Sequence, residues 1–172
     1  MNQRTDPVLW WLACFWLVVL GVGWWMADNW LNLQDNPNRQ TTVTAEGDLV
    51  LKRNREGHYM AEGEINGHPV VFMIDTGATE VALSSALARE LSLPRGEAIE
   101  LNTANGMATG FKTHLETVHL GNIEMRNVHA VFSEQMMDNV VLLGMSFLKH
   151  LEFTQRDNRL FLHLPSDAHA RF

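Results

Sequence analysis

A chain of 172 residues with 13 basic and 20 acidic side chains, a formal charge of −7 and 46% hydrophobic content is sized for one modest domain plus accessory segments. The acidic balance argues against nucleic acid as a partner. The one cysteine, Cys14, rules out an intrachain disulfide, a cysteine-based metal site and a cysteine nucleophile in the folded part of the chain.

The first element is apolar. Val8 to Met26 carries no charged side chain, and at ~1.5 Å rise per residue it spans about 28 Å, close to the ~30 Å of a bilayer core. Trp10 and Trp11 lie at one end and Trp24, Trp25 and Trp30 at the other, where interfacial aromatics belong. Met26-Ala27-Asp28 is not a small-x-small cleavage site, and the stretch is longer than the core of a signal peptide. Residues 1–27 therefore read as an uncleaved N-terminal transmembrane anchor that crosses the membrane through residues 8–26. Arg4 is offset by Asp6, and Asp28 and Asp35 precede Arg39. The positive-inside bias then puts the N-terminus in the cytoplasm and the domain on the periplasmic side of the inner membrane.

Residues 28–46 are rich in Asn, Gln, Asp and Thr and read as a polar linker. Residues 47–165 form the domain, and 166–172 a flexible tail. Within the domain, Leu49-Val50-Leu51 opens a strand and Arg55-Glu56-Gly57 a turn. Tyr59 to Ile65 alternates up to Asn66-Gly67, a strong hairpin signal. Val70-Val71-Phe72-Met73-Ile74 is a buried strand that runs into Asp75-Thr76-Gly77-Ala78, and Val81-Ala82-Leu83 follows. Ser84 can cap a short helix over Ser85–Leu91, which stops before Pro94. One hairpin follows with Asn105-Gly106 at its tip, and another turns at Leu120-Gly121-Asn122-Ile123. Asn139 to Leu143 is a second apolar strand ending at Gly144. Met145–His150 is a second short helix, and Arg159–Leu164 alternates as a last strand. The expected fold class is all-β with two short helices, closed or nearly closed into a barrel.

Candidate chemistry is confined to few residues. A carboxylate at the mouth of a core strand costs free energy unless it is paired or hydrogen-bonded. Asp75 is therefore a candidate catalytic acid, although a turn aspartate is the alternative on the triplet alone. The eight histidines (58, 68, 114, 119, 129, 150, 163 and 169) show no His-Glu-x-x-His or similarly tight ligand spacing. Ser84-Ser85 lacks a Gly-x-Ser-x-Gly elbow, and no phosphate-binding glycine loop is present. Neither a metal nor another cofactor is expected.

Phe72-Met73-Ile74-Asp75-Thr76-Gly77-Ala78-Thr79 and Asn139-Val140-Val141-Leu142-Leu143-Gly144-Met145-Ser146-Phe147-Leu148, with Thr103-Ala104-Asn105-Gly106 between them, resemble the two halves and the flap of a retropepsin-like aspartic protease. The resemblance runs from about Tyr59 to Leu164 and is strongest to the bacterial membrane-anchored branch. It implies that Asp75 is the catalytic aspartate and that Thr76, Gly77 and Ala78 form the active-site turn. The Thr76 hydroxyl would be buried against a partner's turn. Ala104, Asn105 and Gly106 would be the flap, and Leu143 and Gly144 the second-half motif. Two departures stand out. The Arg that usually follows the second-half glycine and the Asp two residues after the triplet's glycine are here Met145 and Thr79, so the dimer contact must be made differently.

One Asp-Thr-Gly per chain means that a pair of carboxylates requires two chains related by a two-fold axis. The expectation is a membrane-anchored, homodimeric aspartic endopeptidase acting on peptide or protein substrates. One alternative is a non-catalytic module that binds extended peptides in the same cleft as an adaptor or scaffold. Another is a domain released from its anchor as a processing substrate.

Overall fold

The computed structural model describes residues 7–103, 106–138 and 140–165. Ala104 and Asn105 of the expected flap, Asn139 and the tail 166–172 lie outside the described residues. The chain divides into two units, Met1–Asp35 and Asn36–Phe172.

The first unit holds helix α1 (Pro7–Asp35). Pro7 occupies its first turn, where a missing N–H costs nothing and φ is already helical. The described side chains between Trp10 and Met26 are exposed. Among the described residues no helix is long and apolar enough to cross a membrane; the side chains at positions 8, 9 and 13 of the expected crossing over residues 8–26 lie outside the described residues. Helix α1 continues through polar sequence to Asp35. The helix thus runs well into the stretch read as a linker.

What remains of that stretch is tied to the second unit. Asn38 is buried. Its Nδ2 donates to the carbonyls of Lys52 at 2.8 Å and Met60 at 2.6 Å, and its Oδ1 accepts from the Lys52 N–H at 2.6 Å. A short strand β1 (Thr42–Val43) follows, paired antiparallel to β2 (Leu49–Lys52).

The rest of the second unit runs β3 (Met60–Ile65), β4 (His68–Ile74), β5 (Val81–Ser84), α2 (Ser85–Glu90), β6 (Ala98–Thr103), β7 (Gly106–Leu120) and β8 (Ile123–Ser133). It ends with β9 (Val141–Leu143), α3 (Met145–Leu148), β10 (Glu152–Arg156) and β11 (Arg159–His163). Asn66 and Gly67 both take positive φ, 51° and 78°, between the paired Ile65 and His68. That is the backbone a two-residue hairpin turn requires. Ser84 caps α2 by accepting the Leu87 N–H at 3.1 Å.

Two sheets form. One is four-stranded in the order β1-β2-β11-β10, and the other is seven-stranded in the order β3-β4-β9-β5-β8-β7-β6. A further pairing of Glu64 with His119 and Ile65 with Val118 joins β3 to β7 and closes the larger sheet into a barrel. Both sheets bury into one core. Leu49, Leu51 and Leu162 of the small sheet cluster with Phe72, Leu83, Leu115 and Phe147 of the large unit. Strand β10 had no counterpart in the sequence reading, because all five of its residues are exposed and no alternation marks it.

Candidate active site

Strand β4 delivers Asp75 to the edge of this core. The Asp75 N–H donates to the Leu143 carbonyl at 3.2 Å, which continues the parallel pairing of Phe72, Met73 and Ile74 with Val141, Leu142 and Leu143. The chain then turns back on itself, with the Ala78 N–H reaching the Asp75 carbonyl at 3.3 Å. The Asp75 carboxylate is held inside that turn, where Oδ1 accepts the Gly77 N–H at 2.8 Å. A side chain bonded to an amide two residues on is a rigid way to aim a carboxylate.

The second half of the chain supports the turn from beneath. The Met145 and Ser146 N–H groups donate to the carbonyls of Ala78 at 2.8 Å and Thr79 at 2.9 Å. This approach requires glycine at 144. A Cβ there would lie 2.3 Å from the Glu80 carbonyl oxygen and 2.7 Å from that of Ala78. At Gly77 a Cβ would meet Asp75 Oδ1 at 3.1 Å, so glycine also leaves the carboxylate its room. Ser146 adds a cross-brace. Its Oγ donates to the His129 carbonyl at 2.8 Å and accepts the Val81 N–H at 3.0 Å, linking α3, β8 and the start of β5.

The structure therefore brings Asp75, Thr76, Gly77 and Ala78 together with Leu143 and Gly144. Thr76 is exposed, and its hydroxyl makes no hydrogen bond among the described residues. The turn forms the floor of a cleft of about 770 Å³. Met73, Ala82 and Leu142 give it an apolar wall, and Ile99, Leu101 and Thr103 of β6 reach it from the β6–β7 hairpin. At the tip of that hairpin, Gly106 takes φ 105° and its carbonyl accepts from Thr103 Oγ1 at 2.7 Å. Thus Gly106 sits on an arm that reaches the cleft, while Ala104 and Asn105 lie outside the described residues. A separate cavity of about 510 Å³, lined by His68, Glu90 and Asp138, contains none of the turn residues.

Sequence reasoning missed three features of the cleft. Ser146 sits two residues past Gly144, and only the fold shows that its hydroxyl braces the turn. Met136 and Met137 line the cleft from the segment after β8, which carries no pattern of its own. Glu80 also lines it, and its Oε2 is buried with no hydrogen-bond partner among the described residues. Its position just past the Asp-Thr-Gly-Ala run was the one available signal. Glu100 of β6 lines the cleft as well, whereas Asp48 lies 2.7 Å from His163 Nδ1 and Asp157 occupies a left-handed turn. Among the described residues no group of three or more metal-ligating side chains is assembled.

Residues 61–150 match a family model described as "gag-polyprotein putative aspartyl protease". The chain is 32% identical over 125 residues to an uncharacterized protein from the cobV 5′ region of a Sinorhizobium species, covering 69% of this chain and 54% of that one. It is 28% identical over 122 residues to the uncharacterized protein RP867 of Rickettsia prowazekii, covering 69% and 52%. The chain spans about half the length of these curated relatives. Among solved structures, a retropepsin-like aspartic protease from Rickettsia conorii is similar, with a TM-score of 0.56 and 27% identity over 67% of this chain and 88% of that chain.

Proposed function

The chain belongs to the retropepsin-like aspartyl protease family, and from that premise we propose that it is an aspartic endopeptidase whose paired carboxylates are the Asp75 side chains of two copies. The observation that carries this reading is a single Asp-Thr-Gly turn, with its carboxylate fixed by the Gly77 N–H at 2.8 Å on the floor of a cleft of about 770 Å³.

Two carboxylates in contact cannot both ionise, so their titrations split and one proton is shared between them. The ionised partner takes a proton from a bound water as its oxygen attacks the scissile carbonyl carbon. The protonated partner gives its proton to the carbonyl oxygen. Collapse of the resulting diol returns a proton to the amide nitrogen as the C–N bond breaks, leaving a free carboxyl and a free amine. The rigid turn holds Asp75 in place for both steps, and closure of the β6–β7 hairpin excludes water. Exposure of Thr76 in the single chain supports a role for its hydroxyl at the contact between two turns.

Location is the second part of the proposal. The exposed, uncharged helical surface over residues 10–26 supports attachment to a membrane. The distribution of charge around it supports the non-cytoplasmic side.

A peptide-library digest by the full chain, run from acid to neutral pH, tests the reaction. Cleavage at apolar sites that is lost in Asp75→Asn supports it. Equal cleavage by both proteins sinks it, and tight peptide binding without cleavage identifies a peptide-binding module instead. Carbonate extraction of membranes and protease accessibility in spheroplasts test the location.

A further inference from the structure

On the outer face of the barrel, two histidines stand opposite each other in register. Strands β7 and β8 pair antiparallel with His114 directly opposite His129. Thr113 and Leu115 on one strand, and Val128 and Ala130 on the other, point into the core. Alternation therefore turns both imidazoles outward onto the same face, where both are exposed. Directly opposed residues of an antiparallel pair have Cβ atoms ~4.5–5.5 Å apart. Two imidazole nitrogens bound to one ion at ~2.0–2.1 Å in tetrahedral geometry lie about 3.3 Å from each other, which rings on such Cβ atoms can reach.

We propose that His114 and His129 form a two-imidazole site for a divalent transition-metal ion of the Zn²⁺ type. Imidazole nitrogens select zinc and its copper and nickel neighbours over magnesium or calcium, which take oxygen ligands. Because no third protein ligand is assembled among the described residues, water or a group from another molecule completes the coordination. The surrounding charge permits a cation. Glu116 lies two residues from His114 on the same face, and Lys112, two residues the other way, has its ammonium engaged by Glu97 at 2.8 Å.

A bound ion would clip β7 to β8 next to the active-site brace, since the His129 carbonyl is the acceptor for Ser146 Oγ. Binding to the folded state alone raises its stability by mass action. The histidines are separated by most of a hairpin, so no local spacing motif could reveal them.

The test uses the full chain, freed of metal by chelation and titrated with ZnCl₂ alone, with calorimetry for stoichiometry and thermal melting for stability. One zinc per chain is expected, with a rise in Tm. His114→Asn and His129→Asn should each weaken binding at least about ten-fold, equivalent to ~1.4 kcal/mol. The double variant should melt like the metal-free parent with or without zinc, while Glu116→Gln should bind nearly as the parent does. Both histidines are exposed, so the variants are expected to fold, and circular dichroism checks this. A parent that takes up no zinc, or a double variant that binds it as tightly as the parent, overturns the site.

Discussion

Gly144 shows how much of the active site rests on a single absent side chain. A methyl group there would collide with the Glu80 and Ala78 carbonyl oxygens, both of them backbone atoms that cannot swing aside. Gly144→Ala should therefore destabilise the fold by ~1–3 kcal/mol or more, read as a lower urea midpoint. Gly77→Ala should separate stability from activity. Its φ is not left-handed, and its new methyl would press on the movable Asp75 Oδ1 at 3.1 Å. The melting temperature should change little while kcat falls roughly ten-fold or more, because small displacements of a catalytic group cost rate steeply. Glu80, which with Glu100 shares the cleft with Asp75, provides a discriminating test. If the second acid comes from a partner's Asp75, Glu80→Gln keeps measurable turnover while Asp75→Asn loses it. Equal loss in both variants, in a protein that sediments as a monomer, would point to a pair within one chain. The turn at Asp75 was legible in the sequence because a carboxylate at the end of an apolar strand needs a reason to be there. Ser146 was not legible, because a serine in a short helix has many ordinary uses and its partners, Val81 and His129, are distant in the chain.

Among the elements, strands with alternating or continuous apolar runs and turns with Asn-Gly or Gly-Asn could be read directly, since their burial follows their pattern. Strand β10 could not be read, since all its residues are exposed and only pairing with β11 defines it. The segment around Asn38 was misread for a related reason. Its polar composition suggests a linker, yet the buried Asn38 spends its amide on β2 and the carbonyl end of Met60. A fragment beginning at residue 47 should accordingly melt below one beginning at residue 36, and Asn38→Ala in the full chain should reproduce much of that loss at ~1–3 kcal/mol. The start of β6 carries a weaker support. The hydrogen bond from Lys112, and then its charge, holds the Glu97 carboxyl below the usual range, and Glu97 holds the Lys112 ammonium above its own for the same two reasons. A lowered carboxylate contributes stability above its unfolded range and loses it as pH falls through the folded value. A raised ammonium contributes below its unfolded range and loses it as pH rises through the folded value. The pair therefore acts between the carboxylate and lysine ranges, weakly, because both side chains are exposed. Lys112→Gln should lower the urea midpoint slightly at neutral pH, and the gap to the parent should close in strong acid.

At the scale of the whole molecule, the proposed reaction makes assembly a kinetic variable. Mixing equal amounts of Asp75→Asn and parent chains should leave only about one quarter of randomly formed dimers with both carboxylates. The activity remaining should then fall below simple dilution. Proportional loss instead would mean that each chain works alone. The route of the backbone has a further consequence, for how the fold is reached and lost. Strands β4 and β9 run parallel, as do β5 and β8, and the turn between β4 and β5 is bonded to Met145 and Ser146 from the opposite end of the domain. Such pairing closes long loops before it rewards them, so folding should be slow relative to a helical protein of this size. The Asp75 turn, moreover, draws its support from the far end of the chain as well as from its own short-range bonds. Its supports belong to the last contacts brought together and the core strands beside them. The amide protons of Met145 and Ser146 should thus exchange with solvent only as the barrel opens as a whole, and their protection in hydrogen exchange should match the global unfolding free energy.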